Sequence, residues 1–147
     1  MTLTEKILAR ASGKAQVKAG DNVWVKADTL MTHDVCGPGT IGVFKREFGE
    51  TAKVWDKERI VIIPDHYIFT ADSRSNRNVD ILRDFVKEQD ITYFYDVIDD
   101  PDGKWAFNPA QGLLKKQYGS NYAGVCHTAL AHRGHTRPGE VLFGTDS

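Results

Sequence analysis

The sequence predicts an α/β fold, an α/β/α layered domain on a mostly parallel sheet, and three observations carry that prediction. Ile60, Val61, Ile62 and Ile63 follow Arg59 as a continuous apolar run without alternation, the pattern of a strand buried on both faces. Residues 74–89 then set Val79, Leu82, Phe85 and Val86 on one helical stripe, and the β-rich run at 91–97 completes a strand, helix, strand unit. Such a unit joins parallel strands by a right-handed crossover and places ligand sites at the carboxyl ends of its strands. The composition, 41% hydrophobic and 27% charged over 147 residues, is that of one soluble globular domain spanning residues 1–147. It excludes collagen-like, low-complexity and largely disordered classes.

The remaining elements follow in chain order. Thr2 and Glu5 have capping-box spacing, Leu3, Ile7, Leu8 and Ala11 share one stripe, and Gly13 is placed to end a first helix. Gly20, Asp21 and Asn22 form a turn signal, and Val23, Trp24, Val25 and Ala27 predict a short strand or hairpin arm. Residues 31–40 predict a polar loop feeding a helix N-terminus, with Ile41, Val43, Phe44 and Phe48 at helical spacing and Gly49 as the stop. The stretch 99–122 dissolves into Asp, Gly, Pro, Asn and Lys and is expected to be a surface insertion. Residues 123–127 precede a weak helix through Leu130, and a turn around Gly134 and Pro138 and a strand at Val141, Leu142 and Phe143 close the series. Because Gly144, Thr145, Asp146 and Ser147 lie at the polar end of a core strand, the chain reads as an incomplete piece of a longer protein.

Nineteen Lys and Arg against twenty Asp and Glu leave a net charge of −1, so the chain as a whole has no electrostatic reason to seek nucleic acid or an anionic membrane. No apolar run approaches the roughly 18 to 20 residues of a bilayer span. Cys36 and Cys126 are too few for a disulfide framework or for the four thiolates of an ordinary iron–sulfur site. The GxxxxGK[ST] phosphate loop and the CxxC and HExxH zinc patterns are also missing from the sequence.

What chemistry there is lies where His or Asp meets a strand end or a helix start: His33 and Asp34, Asp65 and His66, Cys126 and His127, Asp146 and Ser147. Their convergence points to one polar site. Singly, each has a plainer reading: an Asp after a strand is commonly a cap or turn residue. His127 fits a core histidine, His132 and His135 fit solvated turns, and the cysteines fit small buried hydrophobes. Asp65 and His66 are stronger candidates, because a charged pair directly after a buried strand needs a partner or solvent. A mononuclear metal hydrolase using His66, His127 and Asp65 or Asp146 as ligands is one reading of these residues.

Five segments, in order, carry more information than their spacing: Thr32-His33-Asp34, Pro64-Asp65-His66, Gly124-Val125-Cys126-His127, Arg137-Pro138-Gly139-Glu140-Val141-Leu142 and Gly144-Thr145-Asp146-Ser147. Together they closely resemble the amino-terminal part of the 3-isopropylmalate dehydratase large subunits, a family of the aconitase superfamily. The resemblance implies a hydro-lyase that interconverts 2- and 3-isopropylmalate in leucine biosynthesis by dehydration and rehydration. Homoaconitase and aconitase share several of the motifs and are alternatives.

The resemblance further implies a four-iron, four-sulfur (4Fe-4S) cluster in the full-length protein, acting as a Lewis acid. Neither Cys36 nor Cys126 matches the family's cluster cysteines, so this chain is expected to hold no cluster ligand and no metal. Asp65, His66 and His127 are implied to be catalytic, and His33, Asp34, Asp146 and Ser147 to bind substrate. A separate small subunit is the implied partner, and the cytoplasm or a plastid the implied compartment. The fragment alone is expected to be inactive; the alternative is a non-catalytic truncated copy that serves as a subunit-binding module.

Overall fold

The computed structural model describes residues 1–68, 70, 72–96 and 123–146. The first helix, α1 (Leu3–Ser12), forms as its sequence dictates. The Thr2 side chain accepts the Glu5 N–H at 3.2 Å, and the Glu5 carboxylate accepts the Thr2 N–H at 2.7 Å. Gly13 ends the helix with φ of 70°, a left-handed conformation in which its N–H reaches back to the carbonyls of Ala9 and Arg10.

Four parallel strands, β1 (Thr29–Thr32), β2 (Ile60–Ile62), β3 (Tyr93–Phe94) and β4 (Leu142–Gly144), lie in the order β3-β2-β1-β4. Leu30 pairs with Ile60 and with Phe143, and Val61 pairs with Tyr93, so every carboxyl end points to the same edge of the sheet. The crossovers are α2 (Gly37–Phe48), α3 (Ser73–Gln89) and α4 (Cys126–His132).

Alternation along β2 divides the core in two. Ile60 and Ile62 face Ile41 of α2 and Leu82 and Phe85 of α3. Val61 and Ile63, with Met31, face Cys126, Ala129 and Leu130 of α4. Helices therefore cover both faces, which is why β2 is an unbroken apolar run rather than an alternating one. Each fully buried Ile or Leu contributes on the order of 1.5–3 kcal/mol to holding the layers together.

Glycine sets how closely the layers approach. A Cβ on Gly37 would stand 2.5 Å from Leu82 Cδ2, so α2 begins where only glycine lets it meet α3. The Gly37 N–H also bonds the His33 carbonyl at 2.8 Å, which ties the helix start to the loop after β1.

The structure departs from the sequence expectations at several points. Residues 23–27 are not a strand: Val23, Val25 and Ala27 are half-buried while Trp24 and Lys26 are exposed, but no ladder forms, and the first strand lies later, at Thr29–Thr32. Alternating burial makes a segment extended; only a neighbouring backbone makes it a strand. On α2, Ile41 and Phe44 pack inward whereas Val43 and Phe48 face out. His135 is no solvated turn residue, because it is half-buried with its Nε2 2.6 Å from the Tyr95 hydroxyl. The expected insertion at 99–122 lies outside the described residues, as does Ser147.

Candidate functional site

The carboxyl ends of β1, β2 and β4 and the start of α4 meet at one place. Thr32 and Thr145 hydroxyls lie 3.2 Å apart where β1 and β4 end, and backbone bonds from Ile63 to Thr32 and from Thr145 to Met31 carry the ladders one residue further. Just beyond, the chain delivers His33 and Asp34 from β1, Asp65 and His66 from β2, and Asp146 from β4. The sheet topology thus brings together residues separated by up to 113 positions.

Asp65 links two of these segments. Its Oδ1 lies 2.6 Å from His66 Nδ1, and its Oδ2 accepts the Cys126 N–H at 2.6 Å. The carboxylate is only acceptor, so the His66 Nδ1 carries the hydrogen of this bond and Nε2 faces away from Asp65. The Asp65 side chain is 4% exposed and that of His66 is 30% exposed, which puts the anion inside and the imidazole at the mouth.

His33 is fully buried and lies against His66, with ring centroids 4.5 Å apart and planes 25° from parallel. Its Nδ1 accepts the Val35 N–H at 3.3 Å, so its Nε2 bears the hydrogen that points to the Asp146 carbonyl at 3.2 Å. The same carbonyl accepts the Cys36 thiol at 2.6 Å. His127 stands edge-on, 6.5 Å from the His33 ring, in the first turn of α4. Asp34 is fully buried too, and its carboxylate is turned inward to the backbone of residues 65–67.

Two contributors carry no recognisable sequence signal. Asn78 of α3 donates its amide to the Asp34 carbonyl at 3.0 Å, and Cys36 holds the Asp146 loop; each is one polar residue among many until the fold places it. Cys126 has the opposite character. Burial, reinforced by the Asp65 carboxylate, pushes its thiol up to about 12, so it stays protonated at neutral pH.

Ligand atoms of His33, Asp34, Asp65 and His66 lie within 4.8 Å of one another. Both nitrogens of His33 and both oxygens of Asp34 and Asp65 already meet protein groups, so in this arrangement these side chains hold the loops. His127 and Asp146 fall outside this group, so the ligand set of a mononuclear hydrolase is not assembled. Nor do the two thiols fit a four-iron, four-sulfur cluster: Cys126 is buried as a thiol and Cys36 is bonded to a carbonyl.

No family model matches the chain. Among curated proteins, it is 64% identical over all 147 residues to the chloroplastic 3-isopropylmalate dehydratase large subunit of Arabidopsis thaliana, covering 26% of that protein. It is 44% identical over its full length to the probable 3-isopropylmalate dehydratase large subunit of Methanothermobacter thermautotrophicus, covering 29%. It is 34% identical to the probable methanogen homoaconitase large subunit of the same organism, again covering 29%. The chain therefore spans between a quarter and a third of the length of these relatives.

Proposed function

We propose, for a chain that belongs to the family of 3-isopropylmalate dehydratase large subunits, that it supplies the proton-handling wall of a hydro-lyase site whose complete protein interconverts 2- and 3-isopropylmalate. One observation carries this reading: Asp65 holds His66 by Nδ1 while its second oxygen is anchored on α4, leaving Nε2 at the mouth of a site shared with His33, His127 and the Asp146 loop.

Loss of water from a hydroxy acid needs a proton on the departing hydroxyl. As an imidazolium, His66 donates that proton from Nε2; as the neutral base, it takes one back from the water that re-adds. Asp65 accepts the Nδ1 hydrogen and fixes the ring plane, and the stacked imidazole of His33 restricts its tilt. His127 and Asp146 line the same mouth and are assigned to orienting the substrate, with Ser147 following in sequence. The iron–sulfur cluster that the family generally uses would supply Lewis-acid chemistry from ligands other than the two thiols here.

The large-subunit names of the relatives support a small-subunit partner, and the chloroplastic name of the plant relative supports a plastid location should this chain come from a plant. Among the described residues, no helix is long and apolar enough to cross a membrane.

The test is His66→Gln in the full-length large subunit, assembled with its small subunit and followed by dehydration of 2-isopropylmalate. The expected loss in kcat is about 10²–10⁴-fold. A variant keeping more than about a tenth of wild-type kcat removes His66 from the proton step. Preference of the wild type for homoaconitate would move the substrate assignment to the homoaconitase branch, and inactivity on every such acid would leave the chain as a non-catalytic subunit-binding module.

A further inference from the structure

We propose that Asp34 is a positioning residue that sets the place of His66 by holding the backbone of residues 65–67, rather than by touching substrate. The inference rests on the hydro-lyase reading for its kinetic arm and on geometry alone for its structural arm. Asp34 Oδ1 accepts the N–H groups of Asp65 at 3.0 Å and His66 at 3.1 Å, and Oδ2 accepts that of Tyr67 at 2.5 Å. Three consecutive amides thus converge on one fully buried carboxylate. The loop that follows β2 has no regular structure of its own, so these donors would otherwise be unpaired next to a buried strand.

The arrangement is keyed to a carboxylate. Both oxygens are used, and an asparagine of the same shape offers only one; its NH₂ group would face a backbone N–H, donor against donor. Asp34 is itself fixed from the far side, since its carbonyl accepts the Asn78 amide of α3 at 3.0 Å. The path therefore runs from α3 through Asp34 to the peptide that carries both the Asp65 carboxylate and the His66 ring. Asp34 is fully buried in this arrangement, so reaching substrate would require its carboxylate to turn away from that peptide.

His66 Nδ1 also lies 3.9 Å from Asp34 Oδ1, beyond hydrogen-bond distance, so Asp65 remains its partner. A misplacement of about 1 Å at a reacting group costs on the order of 10²-fold in rate, so loosening this peptide should lower kcat more than it raises KM.

The experiment uses the full-length large subunit with its small subunit and compares wild type with Asp34→Asn. Backbone hydrogen–deuterium exchange of the peptide spanning 65–67 is expected to accelerate at least about tenfold, with α1 unchanged. In the same variant, kcat on 2-isopropylmalate is expected to fall at least about tenfold with KM within about threefold. Unchanged exchange at 65–67, or a rise in KM with kcat preserved, overturns the proposal; the second result would make Asp34 a substrate contact. Should Asp34→Asn fail to fold, Asn78→Ala replaces it, with exchange at 65–67 expected to rise about threefold and no rise overturning the proposal. If the wild type is inactive, the hydro-lyase reading fails while the exchange arm still decides the role of Asp34.

Discussion

Asp65, His135 and Cys126 show how one side chain's surroundings settle its chemistry. Asp65→Asn would present an amide to both His66 Nδ1 and the Cys126 N–H, and only one of these donors could keep an acceptor. On the proposed hydro-lyase reading, the expected loss in kcat of the full-length large subunit is about 10²–10⁴-fold, read from initial rates. At His135, burial first and then the Arg137 and Arg133 guanidinium groups hold the imidazole below its ordinary 6.5. The folded state thus binds this proton less well than the unfolded state, so its contribution to stability is present above 6.5 and is lost as pH falls. Thermal midpoints from pH 7 to 5 should fall less steeply for His135→Gln than for wild type. Cys126 is fully buried with its thiol held at about 12, whereas Cys36 is half-buried. Iodoacetamide at pH 8 should modify Cys36 at least about tenfold faster than Cys126, as peptide mass spectrometry would report.

At the scale of elements, helix ends and helix contacts follow from few residues. Gly37→Ala drives a methyl group into Leu82 at the α2–α3 contact, and a cost of about 1–3 kcal/mol is expected in chemical denaturation. The buried pair of Arg83 on α3 with Asp96 after β3 is bidentate, at 2.6 and 2.9 Å, with both side chains 9% exposed. Asp96→Asn weakens this pair while Arg83 keeps its contact with Asp80 at 2.9 Å, with an expected loss of about 1.5–3 kcal/mol by the same measurement. Helices α1 and α3 and strand β2 were legible in sequence because each carries its own period, cap or apolar run. Residues 23–27 show the limit: they alternate in burial as a strand does, but hydrogen-bonded pairing depends on a partner that local pattern does not reveal.

Across the whole molecule, β3 and β4 are the sheet edges among the described residues, and one apolar hollow opens beside β4. It has a volume of about 320 Å³ and is lined by Leu30, Phe44, Trp55 and Phe143, the last two more than half exposed. The 147-residue chain alone is therefore expected to bind the apolar dye ANS, and Phe143→Ser to reduce that binding; equal fluorescence from both would count against the hollow as the dye site. The sequence by itself determined the parallel α/β architecture, the capped first helix, the strand buried on both faces and the residues that gather at its end. It could do so because periodicity, caps and the order of strand and helix are local properties of the chain. Only the tertiary structure decided that Asp34 turns to three backbone amides, that His33 stacks on His66 and that Cys36 and Asn78 support the loops. Those roles are contacts between distant segments, and they exist only once parallel strands bring their carboxyl ends to one edge.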